Sequence, residues 1–347
     1  MRQALLVVAL AGMFLLAGCA DGGEPIEDIL EGSSEPSTDE TPETDAESGD
    51  ASDVDGELEI HHIDVGQADS TLVITPTDET ILIDTGDWRQ DGSDVIDYLD
   101  AHDVDRVDHL IATHGHADHI GGHAAVIEAF ETDRAGIGSI YDSGVPHTSQ
   151  TYENYLDAVG EHDHDLLVVE EGDELPIDDG AVSATVLNPP AGESGDDLHH
   201  NSVAVVLEFG DVRYLTTGDA EREAEARMLE AWTEELDVDA YQAGHHGSST
   251  SSTPPFLEAV SPEVAVISSG FDSQYGHPHD EVLEAFADRG VETYWTGVHG
   301  DMVFTSEGSE FDVETAETFP SDPDALLEAK HDGSPDSSLI APPGVAG

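Results

Sequence analysis

The stretch Thr113-His114-Gly115-His116-Ala117-Asp118-His119-Ile120-Gly121-Gly122 constrains this chain more than any other. It follows the apolar run Leu110-Ile111-Ala112 and precedes a helix-like segment, so three histidines and an aspartate sit on a loop joining a strand to a helix. Imidazole and carboxylate groups crowded at a strand's end suit Zn, Fe or Mn. A merely solvated histidine-rich loop would leave unexplained both the Gly-Gly exit and the partners of matching chemistry further along the chain.

From the residues alone, the candidate ligands are His114, His116, Asp118, His119, His199 or His200, Asp219, and His245 or His246. Asp219 follows a strand at Thr216-Thr217-Gly218, and His245-His246 follow another, so three strand ends can point at one site. Six or seven donors exceed the needs of one tetrahedral zinc, which predicts two metals sharing a carboxylate. Plainer roles exist for single members: Asp219 can cap the helix behind it, and His199 and His200 can be loop residues.

Order is expected from about residue 57. Segments 58–65, 70–74 and 80–84 read as a β-meander, 94–99 as a helix, 107–113 as the strand entering the histidine loop, and 124–130 as the helix leaving it. A helix at 152–159, strands at 166–169 and 184–187 and a polar loop at 188–200 follow, in a region suited to insertions that shape a substrate groove. Next come a hairpin of 202–209 and 212–216 turned at Gly210-Asp211, a helix over 220–232, strands at 238–242 and 264–268, and helices at 256–260 and 281–287. Two halves of sheet followed by helix predict two β-layers packed together with helices outside.

Composition decides the surroundings. Against 78 Asp and Glu stand only 9 Lys and Arg, a formal charge of −69. Such a coat repels itself in dilute salt, whereas at molar salt the Debye length shrinks to roughly 3 Å and the carboxylates maintain solubility. A halophilic protein is therefore expected. Wholesale acidic disorder is not, because Val-, Ile- and Leu-rich strands follow the polar N-terminal stretch. Arg2 precedes an apolar run over residues 4–16 that is short for a membrane span, and Leu16-Ala17-Gly18-Cys19 resembles a lipobox. Residues 1–19 are expected to be a signal peptide with lipidation at Cys19, the sole cysteine, and 20–56 a disordered acidic linker. The mature protein is expected at the extracellular face of the cell membrane, held by lipid, or else secreted. Residues 315–347 read as an acidic, mostly disordered tail.

His114-x-His116-x-Asp118-His119 followed by Gly121-Gly122 resembles the signature of the metallo-β-lactamase superfamily, metal-dependent hydrolases built as a four-layer αββα sandwich. The landmarks Ile63-Asp64-Val65-Gly66-Gln67-Ala68-Asp69, Ile83-Asp84-Thr85-Gly86, Asn201-Ser202-Val203, Leu215-Thr216-Thr217-Gly218-Asp219, Gly244-His245-His246-Gly247-Ser248-Ser249 and Tyr275-Gly276-His277-Pro278 narrow it. They resemble the hydrolase domain of the ComEC competence DNA-uptake family and the related phosphorylcholine esterases; the resemblance covers about residues 57–310, within a domain expected at 57–314. This resemblance implies two divalent ions, zinc first, with manganese or iron as alternatives. One would take His114 and His116 with His200, the other Asp118, His119 and His245, and Asp219 would bridge them. It further implies that Asp64 and Asp84 support the ligand loops, that His246 lies beside the ligands, and that Ser248, His277 and the Gly247 backbone meet an anionic substrate.

Ala68 stands where the family usually has glycine, His116 stands where ComEC domains often carry Asp, and no membrane channel accompanies the domain. A complete binuclear site is therefore expected, and DNA import by this chain alone is not. The implied activity is an extracellular phosphodiesterase or nuclease using a metal-bridged hydroxide, with Asp118 orienting the water or moving its proton. Esterase, lactonase or phosphocholine esterase activity is the alternative, and a non-catalytic surface binding module the reading from another class. The scarcity of basic residues counts against an ordinary DNA-binding groove.

Overall fold

The computed structural model describes residues 55–177, 180–192 and 194–334. The expected signal peptide, Cys19, nearly all of the expected linker and residues 335–347 lie outside the described residues.

β1 (Leu58–His62), β2 (Thr71–Ile74) and β3 (Thr80–Ile83) form the expected antiparallel meander. α1 (Ser93–Ala101) then leads to β4 (Val107–Ala112), α2 (His123–Asp133) to β5 (Ile137–Asp142), and α3 (Gln150–Glu161) to β6 (Leu166–Val168), with β3 to β6 parallel. The second half repeats this plan. β7 (Val182–Asn188), β8 (Ala204–Phe209) and β9 (Val212–Thr216) are antiparallel. α4 (Arg222–Ala231), β10 (Ala240–Gln242), the single turn α5 (Gly244–Gly247), α6 (Pro254–Val260), β11 (Val264–Ile267), α7 (Asp280–Ala287) and β12 (Glu292–Trp295) follow, with β9 to β12 parallel. After the short turn α8 (Thr296–His299), β13 (Met302–Ser306) and β14 (Asp312–Thr315) return to the first sheet, and α9 (Pro323–Asp332) follows. The two sheets run β14-β13-β1-β2-β3-β4-β5-β6 and β12-β11-β10-β9-β8-β7.

Period-two alternation along the strands produces the four layers. Val205, Leu207 and Phe209 of β8 join Ile60, Val73, Ile83 and Ile111 in the core between the sheets. Their neighbours Ala204 and Val206 pack instead with Met228 of α4, Phe256 of α6 and Phe286 of α7. On the opposite side Leu82, Leu110 and Ala112 meet Leu99 of α1, Phe130 of α2 and Tyr155 of α3. Strands covered on both faces carry continuous apolar runs, as in Val203-Ala204-Val205-Val206-Leu207. The expected αββα sandwich is the architecture found.

The expectation of a mostly disordered tail from residue 315 is corrected over α9. Asp322 caps this helix by accepting the Asp324 N–H at 3.0 Å, and Leu326 and Ala329 are buried in the outer core. Lys330 and His331 reach Asp280 of α7 at 2.6 and 2.7 Å. An acidic composition hid a single apolar stripe. Among the described residues no helix is long and apolar enough to cross a membrane.

Candidate metal centre

β3 and β4 are parallel neighbours in one sheet and β9 and β10 in the other, so each pair delivers two loops to one end of its sheet. Asp84 follows β3, the histidine loop follows β4, Asp219 follows β9 and His245-His246 follow β10. The loop's exit requires glycine for a steric reason: a Cβ on Gly121 would lie 2.1 Å from the Trp88 backbone nitrogen. Gly218 has φ +50°, and a Cβ there would meet Ser202 Oγ at 2.5 Å. That close approach lets Ser202 Oγ accept the Asp219 N–H at 3.0 Å, which holds the aspartate at the head of its loop.

Asp219 is the hub. Five imidazole Nε2 atoms surround its buried carboxylate, divided between its two oxygens. Oδ2 faces His114 at 3.5 Å, His199 at 3.9 Å and His245 at 3.5 Å, whereas Oδ1 faces His119 at 3.1 Å and His246 at 3.7 Å. His116 joins the Oδ2 side, with Nδ1 2.9 Å from His114 Nε2. On the Oδ1 side, Asp118 Oδ2 lies 3.4 Å from His246 Nε2, and Asp69 Oδ2 lies 3.7 Å from His246 Nδ1. Ligand atoms of His114, His116, His199 and Asp219 thus fall within 4.8 Å of one another, as do those of Asp69, His119, Asp219 and His246. Among the described residues His119 Nε2, His246 Nε2 and Asp219 Oδ1 are buried without a hydrogen-bond partner. Buried polar atoms are rarely left so, and three converging on one point fit a cation.

Outer partners set the tautomers. Asp84 accepts the Thr113 N–H at 2.9 Å, the Thr113 hydroxyl at 2.6 Å and the His119 Nδ1–H at 2.6 Å. Thr113 Oγ1 in turn accepts from His114 Nδ1 at 3.1 Å, and the Ser268 carbonyl accepts the His246 Nδ1–H at 3.0 Å. With Nδ1 engaged outward, each Nε2 points inward, the arrangement by which proteins orient histidine ligands.

Charge follows burial and these neighbours. Burial and adjacent imidazoles hold His114 well below its ordinary value, and His116 is lowered to about 4 for the same reasons. For His119 burial acts downward but is outweighed by the Asp219 and Asp84 carboxylates, which hold it well above the ordinary value. His246 behaves alike: burial opposes its charge, yet Asp219, Asp118 and Asp69 raise it to about 9. Burial likewise fails to neutralise Asp219, whose carboxyl is held well below the usual range by His119, His246 and His114.

Two expected ligands are corrected by their neighbours. His199, not His200, faces Asp219, at 3.9 Å, while the His200 backbone is held on both sides: its N–H donates to Asp197 Oδ1 at 2.8 Å and its carbonyl accepts from Asn188 Nδ2 at 3.0 Å. The expected place of His245 beside Asp118 and His119 is taken by His246, and His245 sits on the Oδ2 side. The cause is backbone: His245 and His246 both adopt left-handed conformations, φ +52° and +56°, which send adjacent side chains to opposite sides of Asp219. Each left-handed residue costs roughly 1–2 kcal/mol, strain of the kind that persists at functional sites.

Of the expected supporting residues, Asp84 touches the ligand loop directly. Asp64 instead accepts the Gly66 N–H at 3.1 Å and shapes its own turn. Ser248 pairs with Thr250 Oγ1 at 3.0 Å, and the His277 ring lies 5.8 Å from that of His245 and 6.2 Å from that of His246. The sequence reading missed Asp69 and Glu221. Asp69 is buried, accepts the Gln242 side-chain N–H at 2.6 Å and closes the motif at 63–69; its place beside β2 was the available signal.

Comparison with known proteins identifies the family. The family model described as Metallo-beta-lactamase superfamily matches residues 63–270. ComE operon protein 3 of Bacillus subtilis is 30% identical over 264 residues, which cover 72% of this chain and 33% of that protein. Competence protein ComA of Neisseria gonorrhoeae is 30% identical over 241 residues, 70% of this chain and 31% of that one. The chain therefore spans about a third of the length of these relatives. The solved metallo-beta-lactamase fold protein YhfI of Bacillus subtilis aligns over 70% of this chain and 97% of its own, with a TM-score of 0.46 at 12% identity.

Proposed function

The chain belongs to the metallo-beta-lactamase superfamily of metal-dependent hydrolases, and on that premise we propose that it is a binuclear phosphodiesterase acting on DNA outside the cell. The observation that carries the proposal is the division of donors between the two oxygens of Asp219, which makes one carboxylate the shared wall of two cation sites. Two divalent cations held there would supply Lewis acidity and a water acidic enough to ionise near neutral pH.

The chain's own groups do the rest. Asp219 spaces the two donor sets, and Asp84 and Thr113 hold the imidazoles in register. Asp118 is 31% exposed, so it faces the open side of the cluster. Burial pushes its carboxyl up, but His246 and His119 outweigh this and hold it below the usual range. It is therefore an ionised acceptor for the proton of an attacking water. DNA as substrate rests on the resemblance to competence DNA-uptake domains and on a relative named for competence. With so few cations on the chain, phosphate recognition falls to the metals and to neutral donors, and the same scarcity favours a small neutral ester as the second reading.

The test is hydrolysis by the purified chain at molar salt, with zinc or manganese, of a bis-aryl phosphodiester, single- and double-stranded DNA, a lactone and a β-lactam, beside Asp118→Ala. DNA cleavage that the substitution abolishes supports the proposal. Turnover of the lactone alone would sink it. The lipobox extends the proposal to a lipid-anchored hydrolase on the outer membrane face: Cys19→Ser should release it into the medium, and continued membrane retention would refute the anchor.

A further inference from the structure

Glu221 lies two residues beyond Asp219 and occupies the N-cap of α4, yet its side chain accepts no hydrogen bond from that helix. The carboxylate is directed elsewhere. Its Oε1 stands 3.4 Å from His199 Nδ1 and 3.2 Å from His245 Nδ1, the latter also hydrogen-bonded to Thr250 Oγ1 at 3.2 Å, and the two rings lie 4.7 Å apart. These imidazoles come from separate loops, one before β8 and one after β10. Their opposite nitrogens face the same atom, Asp219 Oδ2, at 3.9 and 3.5 Å. The Arg222 N–H donates to the Thr250 carbonyl at 3.1 Å, which ties the start of α4 to the loop carrying His245.

The geometry points to Glu221 as a positioning residue that clamps His199 and His245 together, sets His199 as its Nδ1–H tautomer, shares His245 Nδ1 with Thr250 Oγ1, and so turns both Nε2 atoms onto the Oδ2 side of the centre. An ordinary surface contact between a half-exposed carboxylate and an imidazole contributes little. One carboxylate bridging two donors of one site instead acts as the outer member of a carboxylate–histidine–metal arrangement, whose loss typically costs 10- to 100-fold in metal affinity. The assignment also gives His245 a place: it is a further donor on the Oδ2 side, so this side offers four imidazoles where the other offers two with two carboxylates.

The inference rests on the binuclear reading, and its test separates the two. The full chain, stripped of metal, is titrated with zinc against a competing chelator, and long-range nitrogen–proton correlations record the tautomers of the metal-free form. For the wild type two zinc equivalents are expected. In Glu221→Ala, one equivalent should weaken by about 10- to 100-fold while the other stays within about threefold, and the His199 imidazole should lose its uniform Nδ1–H signature. Glu221→Asp should recover part of both effects. A wild type that takes up two zincs, with Glu221→Ala identical in affinity and tautomers, overturns the clamp alone. Less than one zinc on the wild type would overturn the binuclear reading and the clamp with it.

Discussion

At the scale of single residues the decisive feature is that His245 and His246, identical in chemistry and adjacent in the chain, serve opposite oxygens of Asp219. His246→Ala should therefore cost the Oδ1-side metal and leave the other, whereas His245→Ala should leave the Oδ1 side loaded. Metal analysis of the two variants after dialysis checks this, and equal losses would refute the division. The charges on that side set a pH dependence. His246, raised to about 9, stays protonated in the metal-free chain, and a zinc ion must displace that proton. Because its folded value lies above the unfolded one, the proton stabilises the metal-free fold fully below about pH 6.5, and this contribution is lost as pH rises through about 9. Zinc affinity should accordingly climb with pH and level off near 9. Calorimetry at pH 7 in two buffers of different ionisation enthalpy should record at least one proton released on loading; none released would contradict the assignment.

At the scale of elements, the strand–loop–helix unit of β4 and α2 works because its backbone fits against the loop after β3. Gly121→Ala places a methyl carbon 2.1 Å from the Trp88 backbone nitrogen, where no side chain can yield. We expect a loss of about 3 kcal/mol, the upper range for overpacking, together with displacement of His119 and weaker metal binding. Denaturant unfolding and zinc titration measure both, and a wild-type midpoint would show that the loop is looser than described. The same reasoning explains what could be read early. The Gly-Gly exit and the alternation in β8 are local patterns, whereas β13 and β14, separated from β1 by most of the chain, complete a sheet that no local pattern announces.

At the scale of the whole molecule, a net charge of −69 over the full chain should make the stability of the well-packed sandwich a function of ionic strength. Lowering NaCl from molar concentrations to 0.1 M lengthens the Debye distance from roughly 3 to 10 Å and restores repulsion across the surface. A drop in Tm of about 10 °C or more is expected, equivalent to a few kcal/mol for a domain of this size. Thermal unfolding across a salt series tests it, and a Tm independent of salt would remove the case for a halophilic protein.

By itself the sequence determined that a histidine loop leaves a strand, that Asp219 ends another, and that strands with two apolar faces must be covered twice. Donor chemistry and side-chain period are properties of neighbouring residues, so they are legible in one dimension. Only the tertiary structure decided between His199 and His200 and set His246 on the Oδ1 side of Asp219 and His245 on the Oδ2 side, because these choices depend on backbone torsions and on which loop approaches from the other sheet. It alone distinguished Asp69 and Glu221 from the rest of the 78 acidic residues, since in so acidic a chain a carboxylate gains meaning only from what it faces.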